Sequence, residues 1–230
     1  MKLAIMQPYF FPYIGYFQLI HAVEKFVFYD DVNFIKNGWI NRNRILGNHE
    51  AQYFTVHLKN ASSFKPINEI FFTDNRKKII KTIAQNYIKA PFFKDINPII
   101  EKVLTHQTEL MSELAILSIT EIANYLDIKT NFETSSQKYS DTRGIDKTDR
   151  VITICQRNNA KNYINPTGGQ ELYSKEDFLK QNIDLFFIKT GEYSYNQNSI
   201  NFIPHLSIID ILMNCGKEGT KELLTKYNLI

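Results

Sequence analysis

The sequence predicts an α/β protein built on a mainly parallel sheet with helices on both faces, plus a β-hairpin insertion and C-terminal helices. Three observations carry that expectation. Residues 3–6, 26–29 and 183–188 are short continuous apolar runs, the pattern of strands buried on both faces. The first two are joined by a loop and a helical stretch, and a strand–helix–strand unit of this kind makes a right-handed parallel crossover. Beyond residue 110, helix-like and strand-like stretches alternate, as they do in a helix-covered parallel sheet.

The elements follow in order. Residues 3–6 form the first strand, and Pro8 and Pro12 stop regular pairing after it. From Gly15 the residues Phe17, Leu19, Ile20 and Val23 share one apolar face, so a helix leads into the second strand, which Asp30-Asp31 closes. Residues 40–46 and 52–58 flank Gly47-Asn48 and read as an antiparallel hairpin. That hairpin is an insertion around 36–60, followed by a helical region around 75–126, within one domain spanning 1–230. Asp74 is the expected cap of a helix over 75–87, and 112–126 is a long apolar helix. A third strand is expected at 128–132, then a polar loop over 134–142 and a helix over 146–157. Residues 162–165 and 183–188 supply two more strands, with a helix capped by Ser174 between them. After an Asn-rich loop, Ser207 caps a helix that Gly216 should stop, and a last helix is expected over 221–227.

Composition narrows the function. With 230 residues, 43% hydrophobic and 22% charged, the chain can bury a core, so disorder is not expected. A formal charge of +3 gives no electrostatic argument for nucleic acid. Cys155 and Cys215 make no disulfide framework, and the five histidines have no zinc spacing, so no metal site is expected. No apolar stretch approaches the ~20 residues of a membrane helix and no secretory signal is visible, so the cytoplasm is the expected location.

In a parallel sheet, ligands bind beyond the carboxyl ends of the strands. That rule selects residues 7–16, 30–44, 134–147 and 165–173. The first segment gathers Gln7, Tyr9, Tyr13, Tyr16 and two Phe around two prolines, with Gly15 at the helix entrance. Such a loop can wall a pocket for a flat or sugar ring, or can pack the top of the sheet. Asp30 and Asp31 are candidate general bases, or turn formers. Trp39, Arg42, Asn43 and Arg44 could hold phosphates, with Arg42 and Arg44 on one strand face and Asn43 on the other. The alternative is a charged edge that resists unwanted strand pairing. Asp146 is the natural N-cap of its helix, and Lys147 and Arg150 could reach an anion beside it. Asn165, Gly168 and Gly169 follow a strand and read as a turn or a close backbone approach to a ligand. His205, Ser207 and Asp210 suggest a catalytic relay, but no nucleophile elbow is present and adjacency in sequence is not triad geometry. Cys155 lies on an apolar helix face and reads as core.

These segments resemble the WbqC-like family over nearly the whole length. The resemblance rests on Gln7-Pro8-Tyr9-Phe10-Phe11-Pro12-Tyr13-Ile14-Gly15-Tyr16, Trp39-Ile40-Asn41-Arg42-Asn43, Gly144-Ile145-Asp146-Lys147-Thr148, Tyr163-Ile164-Asn165-Pro166-Thr167-Gly168-Gly169 and Leu206-Ser207-Ile208-Ile209-Asp210. It implies a bacterial protein associated with O-antigen or other surface-polysaccharide synthesis, with transfer of glycine or a similar amino acid to an amino sugar. The first helix entrance is also similar to that of the HIGH-motif nucleotidyltransferase and class I synthetase superfamily, which implies a Rossmann-like (HUP-type) sheet. There the motif reads His-x-Gly-His, whereas Tyr13-Ile14-Gly15-Tyr16 stands here.

The expected function is therefore an amide-forming aminoacyl (glycyl-type) or acyl transferase acting on a nucleotide-linked amino sugar. The donor would be an activated amino acid, formed with ATP or carried on tRNA, although the small net charge does not support tRNA. Alternatives are a nucleotidyltransferase-like enzyme and a non-catalytic sugar-nucleotide-binding protein. Oligomeric state is left open by the sequence.

Overall fold

A computed structural model describes residues 1–230. Its first unit is β1 (Lys2–Met6), α1 (Ile14–His21) and β2 (Lys25–Phe28). β1 and β2 are parallel, with Ala4 opposite Phe26, as the crossover rule requires. Every α1 residue from Ile14 to Ile20 is buried, so this helix is central rather than amphipathic.

A hairpin follows, β3 (Arg42–Gly47) and β4 (Glu50–Thr55), and then a small antiparallel pair, β5 (His57–Lys59) and β6 (Phe71–Thr73). The hairpin turns on Asn48 and His49, with φ of 50° and 65°. Two consecutive positive φ values suit the right-handed twist of a tight hairpin. Three helices come next: α2 (Arg76–Tyr87), α3 (Phe93–Thr105) and α4 (Met111–Tyr125). The remaining elements are β7 (Asn131–Thr134), α5 (Ser135–Lys138), α6 (Lys147–Arg157), β8 (Asn162–Pro166), α7 (Lys175–Leu179), β9 (Asp184–Thr190), α8 (Ile208–Leu224) and β10 (Tyr227–Leu229).

The central sheet has six strands in the order β10-β9-β8-β1-β2-β7. All neighbours are parallel except β10, which runs antiparallel along β9. From β1 the chain works outward through β2 and β7, then returns to the other side of β1 for β8 and β9. The strand order thus reverses between β1 and β8, and the crevice at their carboxyl ends is where an open α/β sheet takes a ligand.

Strand alternation divides the core in two. Leu3, Ile5, Val27, Tyr163, Leu185 and Phe187 face α6 and α7 in a cluster of 14 buried residues. Ala4, Phe26, Phe28, Ile164 and Ile188 face the opposite way, into a cluster of 43 that includes α1, α8, the hairpin and α2–α4. The inserted elements therefore thicken one face only. Gln18, buried in α1, ties this layer together by donating to the carbonyls of Leu223 and Lys226 at 2.8 and 2.9 Å. Those carbonyls lie where α8 ends, beyond the reach of its i to i+4 ladder. No helix is long and apolar enough to cross a membrane.

Several expectations are corrected. The third strand begins at Asn131 rather than 128, because Ile128 N–H closes the end of α4 on Ala123 O and Asp127 adopts a φ of 57°. The expected polar loop over 134–142 contains α5 and a 3-10 turn, with Ser135 and Thr142 buried. Asn75 holds the N-cap position of α2 and its side chain bridges Thr55 O and His57 N, while Asp74, the expected cap, accepts from Arg76 N at 3.3 Å. Ser174 sits at the α7 cap position without a side-chain cap bond. The stop expected at Gly216 is present: at φ 65° and ψ −165° this residue is non-helical and divides α8 into two helical stretches. The segment expected as a last helix ends in β10, which pairs with β9.

Candidate functional site

The loop joining β1 to α1 is bonded at nearly every peptide. Phe10 N–H donates to Trp39 O at 3.0 Å, and Phe11 N–H donates to the Ser118 hydroxyl at 3.0 Å. The Asn43 amide donates to Phe10 O at 3.2 Å and Phe11 O at 2.9 Å, while its carbonyl oxygen accepts from Arg44 N. The Ser207 hydroxyl also donates to Phe11 O, and Ile208 N–H donates to Pro12 O. Phe11 is held at φ 42°, unusual for a non-glycine residue. Phe10 and Phe11 are fully buried and anchor the loop from below. Tyr16 is buried as well and donates its hydroxyl to Gln7 O at 2.8 Å. Phe10, Phe11 and Tyr16 are therefore core, and Tyr9 and Tyr13 remain to face outward.

They face a cleft of about 520 Å³. Of the sequence-selected residues, Tyr9, Tyr13, Gly15, Trp39, Asn43 and Arg44 line it. Pro166 and Thr167 from the end of β8, Ile188, Lys189 and Thr190 from the end of β9, and His205 complete the wall. The cleft thus lies at the carboxyl ends of the strands beside the order reversal. Gly15 is required there: a Cβ would stand 2.4 Å from Tyr13 Cε2 and 2.6 Å from Thr190 Oγ1.

The cleft has a consistent chemistry. Burial pushes the Tyr9 phenol up to about 12 and raises Tyr13, so both remain protonated donors at neutral pH. The Tyr13 ring meets His205 edge-on at 5.9 Å. Arg44 Nη2 donates to His205 O at 3.3 Å, and its buried Nε has no protein partner. The Arg44 guanidinium lies 5.7 Å from the Trp39 ring centroid, Trp39 stacks on Tyr53 at 6.3 Å, and Arg42 covers Tyr53 at 4.9 Å. Arg42 also donates to the carbonyls of Gly38 and Asn37. Arg42 and Arg44 do share a strand face, but Arg42 braces the hairpin and only Arg44 reaches the cleft.

Asp30 and Asp31 occupy a different place. Both are buried, and their oxygens are taken. Asp30 accepts from Ser136 N at 2.9 Å and the Ser136 hydroxyl at 2.7 Å, and the Ser135 hydroxyl lies 3.0 Å away. Asp31 faces the Ser135 hydroxyl at 2.5 Å and Arg150 Nη2 at 2.6 Å. Arg150, also buried, donates to the Thr142 hydroxyl and lies over the Tyr29 ring at 4.8 Å. These groups fasten the end of β2 to α5 and α6. A general base needs a free lone pair turned toward substrate, and neither carboxylate lines the cleft. Asp30 and Asp31, expected as candidate bases, thus have their oxygens engaged away from the cleft, and Arg150 is an ion-pair partner rather than a free cation.

The other expected residues are scattered. Asp146 caps α6 by accepting from Thr148 N at 3.1 Å, and Lys147 beside it is exposed. Asn165 is buried against Gly169, where a Cβ would come within 2.0 Å of its amide nitrogen. Gly168 has open space around it. Ser207 and Asp210 form no relay with His205: the Ser207 hydroxyl serves Phe11 O, and Asp210 accepts from Tyr87 and Tyr195. Burial raises the Cys155 thiol to about 12, in keeping with a core residue.

Four cleft residues lie outside the segments selected from the sequence: His205, weighed there only as part of a relay, and Ile188, Lys189 and Thr190. The strand-end rule that selected four segments would have found the last three, had it also been applied to the fifth strand. His205 carried a weaker signal, a histidine between Pro204 and a helix cap, and it adopts φ 58°.

A family model described as the WbqC-like protein family matches residues 7–222. The Uncharacterized protein Rv1507c of Mycobacterium tuberculosis is 32% identical over 227 residues, which cover 96% of this chain and 97% of that protein. No solved structure matches the chain.

Proposed function

The chain belongs to the WbqC-like protein family, and from that premise we propose that it is an amide-forming aminoacyl, glycyl-type, or acyl transferase for a nucleotide-linked amino sugar in surface-polysaccharide synthesis. The observation that carries the reading is the cleft itself: two neutral phenols, an indole and an arginine with an unpartnered buried nitrogen, set on a bonded loop. Tyr9 and Tyr13 donate to sugar hydroxyls, Trp39 covers a ring face, and Arg44 with Lys189 faces the diphosphate. A Rossmann-like, HUP-type sheet fits the order in which the strands are laid down on either side of β1. A nucleotide-sugar substrate implies a cytoplasmic reaction.

The step itself is nucleophilic. The amino group of the sugar attacks the carbonyl carbon of the activated amino acid, a new C–N bond forms, and the carrier leaves with the electrons of the broken acyl bond. The attacking nitrogen must first lose a proton. His205 lines the cleft and supplies an imidazole nitrogen that accepts this proton. Asp30 and Asp31 lie outside the cleft, which favours His205 over them for this role.

A nucleotidyltransferase reading fits less well. Of the two tyrosines that replace the histidines of that motif, Tyr16 is buried, bonded to Gln7 O and not part of the cleft wall. The test is incubation with a dTDP- or UDP-linked amino sugar and glycine, supplied with ATP or as glycyl-tRNA, and a search by mass spectrometry for the amide. Arg44→Ala should weaken sugar-nucleotide binding by roughly tenfold or more. Binding without product would favour a non-catalytic binder, and pyrophosphate release without amide would favour nucleotidyl transfer. Failure to bind any sugar nucleotide would overturn the reading.

A further inference from the structure

A second cavity, of about 410 Å³, lies away from the cleft, and its lining is dominated by carboxamides: Asn48, Asn86, Asn196, Gln197, Asn198 and Asn214. They come from four separate parts of the chain: the hairpin turn, the end of α2, the loop before α8, and α8 itself. The remaining wall includes Leu46, Tyr87, His49 and Lys89, and no carboxylate or thiol. We infer that this pocket is a second ligand site, one that takes a neutral, polyhydroxylated ring of the monosaccharide class.

The inference rests on which hydrogen-bonding ends are left over. Asn86 donates its amide to Thr82 O at 2.9 Å, and Asn214 donates to Asp210 O at 2.8 Å, so each keeps its carbonyl oxygen as an acceptor. Asn196 has the opposite bias: its carbonyl oxygen accepts from Asn198 N at 2.9 Å, which leaves its NH₂ as a donor. A wall that mixes fixed acceptors with fixed donors matches hydroxyl groups, each of which donates and accepts. It matches a phosphate or carboxylate poorly, because an anion only accepts and would face the Asn86 and Asn214 oxygens. The carbonyl end of α2, at Tyr87, adds a further bias against negative charge. A purely apolar ligand would leave the amides without partners.

The floor is preorganised. Tyr87 and Gln197 both turn inward onto the buried Asp210, at 2.6 and 3.2 Å, and Gln197 also donates to Ile203 O and accepts from Ile203 N. Tyr87 accepts from Leu46 N, which fixes the hairpin to the same point. The rims on either side are thereby held at a set separation before any ligand arrives. This site does not depend on the reaction proposed for the cleft.

The test uses the full chain with D-glucose, N-acetyl-D-glucosamine and L-rhamnose as probes, followed by titration NMR on the Asn side-chain amides. At least one probe should bind in the millimolar range or tighter, with little change on adding salt, because no ion pair is involved. Asn86→Leu, an exposed helix position that should fold, and Asn214→Leu should each lower the affinity by roughly tenfold or more, and Arg44→Ala should leave it unchanged. Absence of binding by all three probes would overturn the inference. So would binding that survives both Asn variants, or that vanishes in Arg44→Ala, since the sugar would then lie elsewhere or in the cleft.

Discussion

The side-chain amide of Asn43 donates to the carbonyl of Phe11 at 2.9 Å, joining the inserted hairpin to the loop that carries the cleft tyrosines. The same amide also serves Phe10 O, and the acceptor oxygen is engaged by Arg44 N, so the group is fully used. Removing it strands Phe10 O on a fully buried residue and leaves Phe11 O with the Ser207 hydroxyl alone. Asn43→Ala should therefore cost about 2–4 kcal/mol, read as a lower urea midpoint. Asn43→Asp keeps the shape and loses the donors while burying a charge, and it should be at least as damaging.

Gly15→Ala tests the cleft more than the fold. The new methyl must displace the Tyr13 ring and the Thr190 hydroxyl. Stability should fall by about 1–3 kcal/mol, the cost of overpacking. Sugar-nucleotide affinity should fall by roughly tenfold or more, measured by calorimetry. Unchanged affinity would mean that Tyr13 does not touch the ligand.

The Asp31–Arg150 pair predicts a non-additive cycle. Arg150→Met leaves the buried Asp31 without its close cation, since Arg143 Nε stands 3.9 Å away and half-exposed. The single variant should lose about 3–5 kcal/mol, and the double variant with Asp31→Asn should recover a substantial part. Equal loss in single and double variants would show that the ion pair is not what α6 depends on.

Asp210 should give stability an unusual pH dependence. Burial raises its carboxyl above the ordinary range, outweighing the hydrogen bonds from Tyr195, Tyr87 and Gln197 that lower it. A raised folded-state value means that the folded protein binds the proton more tightly than the unfolded chain. The contribution is therefore fully present below the usual carboxylate range and is lost as pH rises through the raised value. Asp74, Asp127, Glu133 and Asp141 are lowered by their cationic partners and work in the opposite direction. Comparing wild type with Asp210→Asn by urea unfolding across the acid-to-neutral range isolates the effect. The variant should lack the downward component of the slope.

The parallel sheet was legible because its strands are short, apolar and buried on both faces, and because periodicity reports burial directly. The hairpin was legible for the same reason, with Gly47-Asn48 marking its turn. The short pair β5–β6 was not, since three-residue strands carry no period. The aromatic loop was recognised as a unit, but its division was hidden: nothing in the sequence says that Phe10, Phe11 and Tyr16 turn inward while Tyr9 and Tyr13 turn outward. That choice follows from the positive φ at Phe11 and from bonds to Asn43, Ser118 and Ser207. Asp30-Asp31 misled for a related reason. Adjacent acids at a strand end look available for chemistry until Ser135, Ser136 and Arg150, all more than a hundred residues away, are seen to occupy them.

The Ser207 hydroxyl reaches Phe11 O across 196 residues of chain. During synthesis the N-terminal loop emerges first, yet its backbone cannot be completed until the start of α8 has been made. Contacts of such long range are slow to form. The cleft should therefore be among the last regions to gain protection in a refolding experiment, with β1 and β2 paired well before Tyr13 is fixed. Nascent chains released short of residue 207 would carry the family's signature sequence without a working version of the loop it encodes.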